Sequence, residues 1–79
     1  MNKNMIKEEI KTCESILKKL DVELQDCLND YQLLMKLKAT DGKNPNFKKA
    51  LKSVKERYDD INLTISLTER KIVELKKQL

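Results

Sequence analysis

Apolar side chains recur along this chain in steps that alternate four and three, and the alternation is broken once. They begin at Ile6 and continue at Ile10, Cys13, Leu17, Leu20, Leu24, Cys27, Tyr31 and Leu34. They resume at Phe47 and continue at Leu51, Val54, Tyr58, Ile61, Ile65, Thr68, Ile72, Leu75 and Leu79, where only Thr68 is polar. A mean step of about 3.5 is the heptad signature of a helix that packs one seam against a partner. With Ile10, Leu17, Leu24 and Tyr31 at position a, the next a positions would be Lys38, Pro45 and Lys52, whereas the second run has a at Leu51 and Tyr58. The phase slips by one residue. A continuous helix absorbs inserts of three or four by slight rewinding and does not absorb an insert of one, so the two runs are separate helices.

The stretch KATDGKNPNF, Lys38 to Phe47, lies at the slip and holds the only glycine and the only proline of the chain. Gly42 suits the left-handed residue that follows a helix end. Asn44 followed by Pro45 reads as an N-cap with proline at the first helical position, and proline itself keeps Asn44 out of helical geometry. The expectation is one all-α domain over residues 1–79, with a first helix over about 4–40, a turn at 41–44 and a second helix over about 45–78. So short a turn favours an antiparallel two-helix coiled-coil hairpin.

In such a pair an a residue faces a d residue and their numbers sum to a constant. The value 85 pairs Leu34 with Leu51, Tyr31 with Val54, Cys27 with Tyr58, Leu24 with Ile61 and Leu20 with Ile65. It continues with Leu17 and Thr68, Cys13 and Ile72, Ile10 and Leu75, and Ile6 and Leu79, and its midpoint falls between Gly42 and Lys43. The capping residues point to the same place for the turn without using the register. The same sum brings Asp30 near Arg57 as an exposed ion pair, and Thr68 is expected to bond back to the carbonyl one turn earlier.

Seventy-nine residues bury barely enough surface to fold alone, so self-association or a protein partner is expected. The apolar surplus agrees. Ile16, Leu28, Met35 and Leu37 flank the first seam, Val22 and Leu33 lie farther round, and Leu63, Leu67 and Val73 lie outside the second seam. One partner helix cannot cover them, which predicts pairing of two hairpins into a four-helix bundle, a homodimer. Leu28, Leu33, Met35, Leu63, Leu67 and Val73 are the candidate protein-interaction residues of an adaptor, small chaperone or inhibitor. Lys38, Lys43, Lys48, Lys49 and Lys52 crowd the turn and carry an alternative expectation, a nucleic-acid-binding hairpin that contacts phosphates. Phe47, Tyr31 and Tyr58 fall on seam positions and are expected in the core, where they could not stack on bases.

Catalytic chemistry finds no foothold. There is no histidine, a single glycine forms no phosphate-binding loop, and neighbouring carboxylates such as Glu8 and Glu9 diverge on a helix. Neither a small-molecule substrate nor a cofactor is implied. Cys13 and Cys27 are separated by about 21 Å of helical rise, too far for a disulfide within one helix, and are expected as small buried apolar residues. No run of about 18 apolar residues offers a membrane span. The first twenty residues also lack the apolar core of a signal peptide, so the expected compartment is cytoplasmic.

The hairpin plan resembles that of Rop-type hairpins, which pair into four-helix bundles that bind RNA; the plan is shared and no motif residue is. The turn with Asn44 and Pro45 between two helices is similar to that of type III secretion needle subunits and their small helical co-chaperones, which implies an assembly subunit. The closing ELKKQL is more charged than the packed C-terminus of a needle subunit.

Overall fold

The computed structural model describes residues 2–79 as two helices, α1 (Lys3–Asp41) and α2 (Pro45–Lys77), packed against each other as a helical hairpin. No strand occurs among the described residues, and no helix is long and apolar enough to cross a membrane. The molecule is a rod of 58 × 14 × 13 Å. The 39 residues of α1, at about 1.5 Å rise each, account for that length, so α1 runs end to end without a sharp kink.

Both helices start on asparagine. The Asn2 side chain accepts the backbone N–H of Met5 at 2.9 Å, and the Asn44 side chain accepts that of Asn46 at 2.9 Å with Pro45 at the head of α2. Each cap satisfies a donor that the first turn of a helix leaves without an internal partner. Between the helices, the Gly42 N–H donates to the Lys38 carbonyl and the Asn44 N–H to the Asp41 carbonyl, both at 2.9 Å.

Gly42 departs from expectation. Its φ of −59° and ψ of −24° are right-handed, so glycine is not needed there for a left-handed backbone. Space is the reason instead. A Cβ at this position would collide with the Lys38 carbonyl oxygen, a backbone atom that cannot swing aside.

The seam residues gather into two clusters. Ile6, Ile10 and Cys13 of α1 meet Ile72 and Leu75 of α2, with Leu17 packed alongside. Leu20 and Cys27 meet Ile61, with Leu24, Val54 and Ile65 alongside. The expected pairs Cys13 with Ile72, Ile10 with Leu75, Leu24 with Ile61 and Leu20 with Ile65 each share a cluster. Half-buried Thr68 lies in α2 between the two, and its hydroxyl donates to the Thr64 carbonyl at 2.8 Å, as its place in the seam predicts. Arg57 reaches Asp30 at 3.4 Å.

Three of the described seam residues are exposed where burial is expected. Leu79 lies beyond the end of α2 and is 48% exposed, while Ile6 is buried in one cluster with Ile72 and Leu75. Tyr31 and Tyr58 remain 37% and 38% exposed. Their rings are too long for the space between two helices and carry a hydroxyl that water satisfies best, so they lean out of the seam.

The rod leaves much of itself in water. A compact chain of its mass, 9.3 kDa, exposes about 5,000 Å², and this one exposes 6263 Å². Its radius of gyration is 17.7 Å, against about 12 Å for a compact domain of this length.

Candidate functional site

At the level of Cys27 and Val54 the two flanks of the seam differ. The Cys27 side chain is fully buried, and its Sγ donates to the Val54 carbonyl at 3.3 Å, which draws the helices together. Leu28 follows Cys27 by one residue and Asp30 by three, so at 100° per residue they leave the seam on opposite sides. Lys55 and Arg57 stand in the same relation to Val54. The flank that holds Asp30 and Arg57 is spanned by their ion pair.

The other flank is open. Leu28, Tyr31, Val54, Lys55, Tyr58 and Asp59 rim a groove of about 300 Å³ whose floor includes Cys27. The groove is apolar at its centre and charged only at Lys55 and Asp59, both on α2. Among the described residues neither of these forms an ion pair within the chain. A second, shallower recess shares Lys55 and Asp59 with the first and extends along α2 through Lys48, Leu51, Lys52 and Glu56.

The expected interaction residues do not form one surface. Leu28, 36% exposed, lines the groove, and half-buried Met35 follows Leu28 and Tyr31 at i+7 and i+4 on the same stripe of α1. Leu33 is two residues past Tyr31, which turns it to the far side of α1. Leu63 and Leu67 are i, i+4 neighbours, and Leu63 is two residues past Ile61, so this pair faces away from the seam of α2. Val73 is exposed apart from both groups. Of the lysines, Lys48 and Lys52 enter the shallow recess; Lys38, Lys43 and Lys49 are exposed around the turn outside it.

Tyr31 and Tyr58 are the groove residues that the heptad pattern hides. A seam position is read as buried whatever its size, yet a tyrosine flanking a small cysteine in a two-helix seam has nowhere to put its hydroxyl except outward. That combination is the signal in the sequence. The groove holds no histidine or serine, and among the described residues no three metal-binding side chains gather anywhere. Two aromatic rings and a leucine stand over a floor that includes Cys27, with one charge of each sign at the edge. Compared with known proteins, the chain matches no family model, no curated protein and no solved structure.

Proposed function

We propose that the protein is a non-enzymatic interaction module, an antiparallel helical hairpin that binds protein through a helix face and associates with itself into a four-helix bundle. The observation that carries this reading is the surface surplus. The chain exposes roughly 1,300 Å² more than a compact chain of its mass. A permanent homodimer removes about 1,000–2,500 Å² from each subunit, so one further hairpin accounts for the surplus. Among the described residues twelve large apolar side chains stand exposed, and that apolar surface is what such a partner would cover.

A second reading, binding of nucleic acid at the turn, has its own observation. Lys38, Lys43, Lys48, Lys49 and Lys52 are all exposed there, and among the described residues only Lys52 is engaged, with Glu56 at 4.0 Å. Phosphate contacts of this kind weaken steeply with salt. Two variants separate the readings. Leu28→Asp abolishes association and leaves affinity for single-stranded oligonucleotide unchanged if the module binds protein. Lys48→Glu combined with Lys49→Glu, together with moderate salt, abolishes oligonucleotide binding if the second reading holds. Retention of association in Leu28→Asp with loss of a measurable oligonucleotide complex in the lysine variant would favour the second.

A further inference from the structure

We infer that the open flank at Cys27 is the two-fold face of a homodimer, on which α2 of one copy crosses α2 of the other so that Lys55 of each copy meets Asp59 of its mate. The inference rests on the self-associating reading above and names the surface it uses.

Three observations carry it. The groove lies on the one side of the seam, at this level, that no ion pair spans, since Asp30 and Arg57 occupy the opposite flank. Its centre is apolar and aromatic over a floor sealed by Cys27, which is the composition of an interface core. Its only charges, Lys55 and Asp59, are opposite in sign, unengaged within the chain among the described residues, and four residues apart on one helix.

The third observation selects the occupant. A two-fold axis passing α2 between Lys55 and Asp59 reverses the helix direction, so each lysine is carried over the partner's aspartate and the pair is made twice. Tyr58 of each copy then lies beside the axis with Leu28 and Tyr31 on the outer sides. A surface with charges of both signs at this spacing is complementary to itself. An unrelated partner would have to supply the reversed pattern, and a nucleic acid would leave Asp59 against phosphate. The surface surplus supplies the area that such a dimer needs.

The test uses charge reversal, which touches only exposed side chains and spares the core. Sedimentation equilibrium is measured on the full chain, on Lys55→Asp, on Asp59→Lys, and on an equimolar mixture of the two variants, with far-ultraviolet circular dichroism to follow helix content. Each variant alone places like charges across the axis twice and weakens the dimer by about tenfold or more. The mixture pairs a chain with two aspartates against a chain with two lysines, and the dimer returns. No rearrangement within a single chain produces that rescue. If the native chain is a dimer and both variants remain dimers of equal affinity, another face is used and the inference is overturned while self-association stands. If the native chain is a folded monomer, the self-associating reading fails together with the inference, and the groove is left to a different partner.

Discussion

At Gly42 the backbone is right-handed, where alanine would ordinarily be favoured over glycine by about 1 kcal/mol. The Lys38 carbonyl oxygen occupies the place of the added methyl group, and that oxygen also accepts the Gly42 N–H. Gly42→Ala therefore destabilises the hairpin, by about 1 kcal/mol or more as the turn shifts to make room. Chemical denaturation checks the sign; a stabilised variant would mean that the turn opens freely. Residues in the turn were legible as types and less so as geometry. The pair Asn44 and Pro45 announces the start of α2 because capping and proline chemistry act locally, within one turn of helix. The conformation of Gly42 depends on how the last turn of α1 closes on Lys38, and Tyr31 and Tyr58 lean outward because of the width of the seam. Neither depends on neighbours along the chain alone.

Within the helices, Thr68 stands between two apolar clusters and ties its hydroxyl to its own helix, so nothing across the seam uses it. Thr68→Ile replaces that hydroxyl with apolar surface where Leu17 is only half-buried. The gain is about 1 kcal/mol, which raises Tm by about 4–8 °C in a domain of this size. A lower Tm would show that the hydroxyl makes a specific contact in the associated state. The packing partners were the most readable part of this molecule. Cys13 with Ile72 and Leu24 with Ile61 follow from a single sum because helical periodicity runs along each seam without an insertion. At Leu79 α2 has already ended, and the side chain is left exposed. Arg57 meets Asp30 because the long arginine side chain reaches across a flank, and at about half exposure their pair adds little to stability.

For the whole molecule, two helices make a rod 58 Å long and about one helix-pair wide, and a rod of that shape cannot close a core around itself. Its apolar seam residues form two clusters, and at the level of Cys27 one flank is left as an open groove. The apolar surplus was visible in the sequence, but its arrangement was not, because a heptad position describes a direction on one helix and says nothing of which flanks of two helices come together. Leu28 and Met35 share a stripe with Tyr31, whereas Leu33, Leu63 and Leu67 point away from it. The ordering cost of about 1.5 kcal/mol per residue leaves a lone hairpin near the edge of stability, and that cost connects the fold to the proposed function, in which folding and association would be one event. The direct test is thermal unfolding of the native chain over a wide concentration range, with its mass in solution measured by sedimentation equilibrium in the same buffer. A mass of twice 9.3 kDa, with a Tm that climbs as the chain is concentrated, is the predicted result. A single-chain mass with a sharp melt that ignores concentration would contradict it.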